Sequence, residues 1–405
     1  MSRTRGLSAV AAVTLLAACA AGLMPGTAIA DEYDTNVQWC RNTAADPDLR
    51  IGGCTWLLQS GRLAQKFIPS ALIDRGNAWY RKGAYDRAIE DYTAALRLKP
   101  DYADALYNRG NAWGAKGEYD RSIEDYTAAL RLKPYLHKAL NNRGIAWKAK
   151  GEYDRAIEDY TAALRLKPDK HEALNNRGIA WDDKGEYDRA IEDFTAALRI
   201  KPDDADALFN RGNAWNRKGE YDRAIEDFTA AQRLKPDDAE ALFNRGNAWN
   251  AKGEYNRAIE DFTAALRIKH DNHKALTNRG NAWIRKGEYN RAIEDFTAAL
   301  RLEPDDAHAL NSLAWLMATA LDGRVRDGSR AVRLAERAIS LRDEAAKRDT
   351  LAAAYAEAGR YADAVSAQER AVSMARTDGS SGDRIAIFED RLRLYRAGRP
   401  YREKR

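Results

Sequence analysis

The sequence predicts an all-α protein, a solenoid of helical hairpins, and three observations carry that reading. The tract Arg-Gly-x-Ala-Trp recurs with Arg75, Arg109, Arg143, Arg177, Arg211, Arg245 and Arg279 each 34 residues apart. Each tract leads into Gly-x-Tyr and then an amphipathic run such as Ala88-Ile89-Glu90-Asp91-Tyr92-Thr93-Ala94-Ala95-Leu96, most copies closing on Lys-Pro. A period of this length with one turn glycine and one closing proline reads as helix, turn, helix, stop. Third, the 405 residues are 45% hydrophobic and 31% charged, too polar for one spherical core. Each hairpin must bury its apolar face against its neighbours, and the ends need caps.

The elements follow in order. Arg3 and Arg5 precede an apolar stretch from Leu7 to Leu23, and Ala28-Ile29-Ala30 precedes Asp31. Residues 1–30 therefore read as a secretory signal peptide, with the mature chain starting at Asp31. Leu16-Ala17-Ala18-Cys19 is a competing bacterial lipobox, which would make a diacylated Cys19 the first mature residue. The corresponding localisations are periplasmic or secreted in the first case and a membrane-anchored lipoprotein in the second. No second apolar run approaches the length of a membrane span.

Residues 31–68 hold Cys40 and Cys54 with Pro47 midway between them. In an exported chain they are expected to form a disulfide across a helical hairpin. Two inert thiols are the alternative, and two sulfurs without a nearby His supply too few ligands for a metal. Residues 69–306 form seven regular repeats. Residues 307–374 form two divergent ones, the first with its turn stretched over Leu321 to Gly328. Residues 375–405 comprise a linker at Asp378-Gly379-Ser380-Ser381-Gly382, a helix from about Arg384 to Arg396 with Ile385, Phe388, Leu392 and Tyr395 on one side, and a basic tail. That helix reads as a cap. Its Arg-rich face and tail read as a solvated surface with a frayed end, or as a contact for an anionic membrane or acidic partner.

Within a repeat, Gly110, Trp113, Gly117, Tyr119, Ser122, Tyr126, Ala129 and Pro134 resemble the tetratricopeptide repeat signature. The resemblance is strong over residues 69–306 and looser over 307–374. It implies a right-handed superhelix in which the first helix of each repeat lines a concave groove for extended peptides.

One charged pattern accompanies the signature. The helix-A Arg coexists with a helix-B Asp: Arg75 with Asp91, Arg109 with Asp125, Arg143 with Asp159, Arg177 with Asp193, Arg211 with Asp227, Arg245 with Asp261 and Arg279 with Asp295. In the eighth repeat Leu313 and Leu334 stand at these places, and in the ninth Leu351 and Ala367. Both charges leave together, so the two are expected to form a structural ion pair, within a repeat or across to its neighbour.

The candidate groove chemistry is a ladder of carboxamides. Asn108, Asn142, Asn176, Asn210, Asn244 and Asn278 directly precede the Arg. Asn77, Asn111, Asn213, Asn247 and Asn281 follow it by two residues, with Ile145 and Ile179 in the middle copies. An amide supplies both donor and acceptor and can pair with any peptide group. The arrangement resembles the asparagine ladder in the superhelix of the glycosyltransferase that adds N-acetylglucosamine to proteins; bonding to neighbouring backbone is the alternative. Tyr107, Phe209 and Phe243 suggest apolar pockets beside the amides, and Asp182 and Asp183 add local negative charge. A clamp for a free carboxylate is a partial match: Lys138 and Lys274 offer cations, but residues such as Ile73 and Tyr107 hold the place of its leading Lys.

The 66 Lys and Arg against 61 Asp and Glu leave a net charge of +5, a weak excess that gives no reason to expect nucleic acid as a partner. No phosphate loop, nucleophile elbow or zinc-protease motif occurs. His270 and His273 lack a third metal ligand. The expected activity is therefore binding of protein or peptide partners without catalysis, cofactor or metal, with lipid attachment through Cys19 as the alternative link to a membrane.

Overall fold

The computed structural model describes residues 25–403, with side chains from residue 32. Cys19 lies outside the described residues, as does the predicted leader except for the backbone of 25–30. Among the described residues there are 21 α-helices and no strand. No described helix is long and apolar enough to cross a membrane. The chain divides into two compact units, 1–152 and 153–405.

The first unit begins with α1 (Pro25–Arg41) and α2 (Pro47–Gln59). Asp46 caps α2, its carboxylate accepting from the Asp48 N–H at 2.8 Å, and Pro47 occupies the first turn where its missing N–H costs nothing. The hairpin brings Cys40 and Cys54 together as a disulfide. Both are buried with Leu57 and Ala71. Arg50, 2% exposed, ties the hairpin to the next helix by donating to Asp74 at 3.4 Å. Three helices A follow, α3 (Ile68–Arg81), α5 (Ala103–Ala115) and α7 (His137–Ala149), with helices B α4 (Tyr85–Leu98) and α6 (Tyr119–Leu132) between them.

The second unit opens on a helix B, α8 (Tyr153–Leu166). Regular pairs follow: α9 (His171–Asp183) with α10 (Tyr187–Ile200), α11 (Ala205–Arg217) with α12 (Tyr221–Leu234), α13 (Ala239–Ala251) with α14 (Tyr255–Ile268), and α15 (His273–Lys286) with α16 (Tyr289–Leu302). The divergent repeats are α17 (Ala307–Thr319) with α18 (Gly328–Leu341) and α19 (Ala345–Glu357) with α20 (Tyr361–Thr377), and α21 (Gly382–Arg396) closes the stack.

The same local physics builds every regular hairpin. Gly83, at φ 74°, takes the left-handed conformation that turns helix A into helix B. Gly212 allows the close approach: a Cβ there would lie 2.8 Å from Cε1 of Phe228, a ring buried completely. Asp204, Asp238 and Asp306 cap helices A by accepting from the N–H groups two and three residues on. In each unit successive helices A touch one another, while α4, α6, α10, α12, α14, α16 and α18 each contact the helices A on either side. Helices A are thus the inner layer.

The buried carboxylates hold this layering. Asp227, 6% exposed, accepts from Nε and Nη2 of Arg211 at 2.8 and 2.7 Å, while Nη1 of that Arg reaches Thr195 on the preceding helix B at 3.1 Å. The carboxylate lies within the repeat and the hydroxyl across to its neighbour. Of the two arrangements the sequence left open for the ion pair, the one within a repeat is therefore the one formed.

The same three bonds recur along the chain. Arg109 donates twice to Asp125 and once to Thr93, and Arg177 donates twice to Asp193 and once to Thr161. Arg245 likewise holds Asp261 and Thr229, and Arg279 holds Asp295 and Thr263. Asp125, Asp193, Asp261 and Asp295 are all buried, so these carboxylates face the packed interior between helices A and B. Arg75 pairs with Asp91 and uses Thr55 of α2 in place of the helix-B Thr. The bond to Asp91 raises the pKa of Arg75 further, and the bond to Asp261 does the same for Arg245. Arg143 belongs to the first unit, where it donates to Thr127, and Asp159 is buried in the second.

Where the pattern breaks, the core turns apolar. Leu313 and Leu351 are buried with Phe296 and Tyr395, and Leu334 packs against them. A different buried pair appears at the end of the chain: Asp349, 4% exposed, accepts from Gln368 at 2.8 Å and from Arg391 of α21. Burial pushes its carboxyl up against the opposing pull of Arg391.

The expectation of a frayed basic end is corrected for the described residues, which reach 403; Lys404 and Arg405 lie outside them. Arg391, Arg396 and Arg402 are paired with Asp349, Glu369 and Glu357, and residues 399–403 fold back onto the divergent repeats. Arg399 N–H bonds to Leu394 O at 3.0 Å, and Glu403 N–H to Thr319 O at 3.0 Å.

Candidate peptide groove

The ladder lies on helices A and its carboxamides are half-buried. In the first unit Asn77 Oδ1 accepts from Tyr92 OH at 2.8 Å and from Asn108 Nδ2 at 3.0 Å. Asn111 repeats the arrangement one step on, accepting from Tyr126 OH at 2.7 Å and Asn142 Nδ2 at 2.9 Å. Both lone pairs of each rung oxygen are therefore engaged.

The second unit differs by one atom per repeat. Asn213 Oδ1 accepts from Asn244 at 3.1 Å and Asn247 Oδ1 from Asn278 at 2.8 Å. The buried rings here are Phe228, Phe262 and Phe296, which have no hydroxyl to donate. Each of these rungs keeps one lone pair and both N–H groups, and Asn281 has no side-chain partner among the described residues. Ile179 offers no acceptor, and Asn210 bonds instead to Asn175 at 3.2 Å. Asn176 is half-buried and engaged.

The predicted aromatic positions pack more than they line. Tyr107, Phe209 and Phe243 lie against Tyr126, Phe228 and Phe262 with ring centroids 5.9, 5.8 and 5.9 Å apart. Phe243 also borders a cleft of about 650 Å³ shared with Lys274, Thr277, Asn278 and Asn281. The local negative charge expected at Asp182 is corrected, because its carboxylate accepts from Arg217 at 2.6 Å. Burial raises its pKa and Arg217 opposes the rise. Asp183 remains exposed. His273 faces Asp306 at 3.0 Å, and among the described residues no cluster suits a metal.

A second cleft of about 500 Å³ is lined by Asn250, Asn281, Arg285, Asn311, Trp315 and Glu403. Trp315 stands 34 residues after Asn281, in the same rung column. That substitution in register was a signal in the sequence; the contact of residue 403 with it was not.

Stacked two-helix repeats with a polar inner face define a class of helical-hairpin scaffolds. Models of the tetratricopeptide repeat match residues 142–205, 182–239 and 217–273, residues 103–136 and 273–306, and residues 345–377; a TPR repeat model matches 76–115. The chain belongs to the tetratricopeptide repeat family. No curated protein matches it. Among solved structures, the C-terminal part of a TPR repeat-containing protein from Cytophaga hutchinsonii has 18% identity over 59% of this chain and 98% of that one, with a TM-score of 0.50. A tetratricopeptide repeat protein from Parabacteroides merdae has 24% identity over 60% and 95%, with a TM-score of 0.48. YrrB, described as a TPR protein with an unusual peptide-binding site, has 24% identity over 46% and 95%, with a TM-score of 0.41.

Proposed function

We propose that this chain is a non-catalytic scaffold that binds extended peptide segments of partner proteins along its helix-A face, centred on the fifth to seventh repeats. The observation that carries this is the unused hydrogen-bonding capacity of Asn213, Asn247 and Asn281, set one repeat apart on adjoining helices. Each can pair with a ligand peptide group through an N–H and a carbonyl oxygen, whatever the ligand's side chains. The tetratricopeptide fold is typical of proteins that bind protein or peptide partners. Export fits the same reading, since a buried disulfide persists in an oxidising compartment.

The chain, expressed with its own leader, is recovered by cell fraction, its mass is measured intact, and its partner is captured by crosslinking. A start at Asp31 supports a soluble exported scaffold; a diacylated Cys19 supports a lipid-anchored adaptor in envelope or cell-wall assembly. Replacing Asn213, Asn247 and Asn281 together by Ala removes three ligand-facing amides. At about 0.5–1.5 kcal/mol for each net hydrogen bond, affinity for the captured partner falls about tenfold or more while helix content is retained. Asn77→Ala with Asn111→Ala lowers stability and leaves capture intact. Capture unaffected by the triple replacement would move the site off the ladder.

A further inference from the structure

The segment 398–403 lies on the rung column of the eighth repeat in the manner of a bound peptide. Gly398, at φ 65°, turns the chain out of α21. The Tyr401 ring lies 5.8 Å from that of Trp315, and the guanidinium of Arg391 sits 4.5 Å from the centroid of each. Arg402 donates to Ala318 O at 3.3 Å and to Glu357 at 2.5 Å. Glu403 donates its N–H to Thr319 O at 3.0 Å and accepts from Trp315 Nε1 at 2.8 Å.

These contacts read a backbone N–H, an aromatic ring and, two residues later, a carboxylate. Beyond Glu403 the site continues into the 500 Å³ cleft, whose wall carries Arg285. The Oδ1 atoms of Asn250 and Asn311 are buried there without donors, and Asn281 is the unengaged last rung. A buried amide oxygen without a donor is costly, and a peptide N–H entering the cleft would satisfy it.

We propose that Trp315, Thr319 and the carboxamides of Asn250, Asn281 and Asn311 form a docking site for an extended segment of a partner protein, of the pattern aromatic-x-Glu, and that segment 398–403 is its tethered competitor. This rests on the peptide-scaffold reading above and adds a location, a side-chain preference and an intramolecular gate. A partner must displace Glu403 from Trp315 to enter. The apparent affinity of the closed chain is lower by the fraction of time the tail stands away.

The probe is a labelled synthetic peptide, Gly-Arg-Pro-Tyr-Arg-Glu, followed by anisotropy with the full chain. Weakening the tail with Tyr401→Ala and Glu403→Gln tightens peptide binding about tenfold, as for a tail docked about nine-tenths of the time. Trp315→Phe, which deletes the indole N–H, abolishes the gain. Equal affinity for the wild-type and weakened chains, or binding indifferent to Trp315→Phe, overturns the proposal. Concentration-dependent dimers of the weakened chain would assign the site to self-assembly and overturn it too.

Because a weakened tail can loosen α17 to α21, hydrogen exchange on the wild-type chain gives an independent reading. Excess peptide raises exchange in 399–403 and leaves 311–320 protected; unchanged exchange in 399–403 refutes a tethered competitor. If the peptide fails here while partner capture still depends on Asn213, Asn247 and Asn281, only this inference falls. If both fail, the scaffold reading falls with it.

Discussion

Replacing Asp227 by Leu removes the two carboxylate acceptors of Arg211 Nε and Nη2 and leaves these groups facing the interior between α11 and α12. Breaking a buried ion pair from one side costs about 3–5 kcal/mol. Arg211 is 21% exposed against 8% for the Asp227 side chain, so water partly rehydrates the orphaned cation and the lower end, about 3 kcal/mol, applies. Arg211→Leu leaves Asp227 buried and unpaired at a similar cost. The double replacement by Leu copies Leu313 with Leu334 and is expected within about 1 kcal/mol of the wild type, since a packed apolar pair offsets a buried charged one. Urea unfolding followed by circular dichroism and fitted as coupled repeats gives the cycle. Costs that simply add would show that the two bonds at 2.8 and 2.7 Å carry no coupling, and the clamp would have to be abandoned as the basis of the layering.

Two further outcomes follow from the same packing. Gly212→Ala sets a Cβ 2.8 Å from Cε1 of Phe228; the strain outweighs the gain in helix propensity and lowers stability by about 1–2 kcal/mol in thermal melts, with Phe228→Leu relieving it. Asp306→Asn keeps a side-chain cap but removes a charge. Burial works to raise the Asp306 pKa, but bonds from His273 and from the Ala309 and His308 N–H groups bring it below the ordinary 3.8. A depressed carboxylate stabilises above its unfolded value and loses that contribution as pH falls through the folded one. The wild type should therefore exceed Asp306→Asn in stability near neutrality and lose the difference in acid titrations as the pH falls below the ordinary 3.8 and through the depressed folded value. A difference that persists in acid would assign the effect to cap geometry.

The repeat, its turns and the co-occurring Arg and Asp were legible in the sequence because each is a local rule copied at a fixed period. Gly-x-Tyr sets a turn wherever it occurs, and an Arg that disappears together with an Asp marks a pair before any coordinate is known. Whether Asp125, Asp193 or Asp295 would serve the Arg of its own repeat or of the next was not legible, because both lie within reach of a helix-A guanidinium until the helices are packed. The disulfide was legible for a local reason, two cysteines flanking one turn. Tertiary structure decided which amides remain open. Asn77 and Asn213 occupy the same place in the repeat, yet a Tyr hydroxyl completes the first and Phe228 leaves the second with a free lone pair. The sequence holds both residues, but their contact depends on how helix B faces helix A. The docking of Glu403 on Trp315 joins positions 88 residues apart, with no period to announce it. It follows from the direction in which α21 and Gly398 return the chain, so the physical reason is long-range packing.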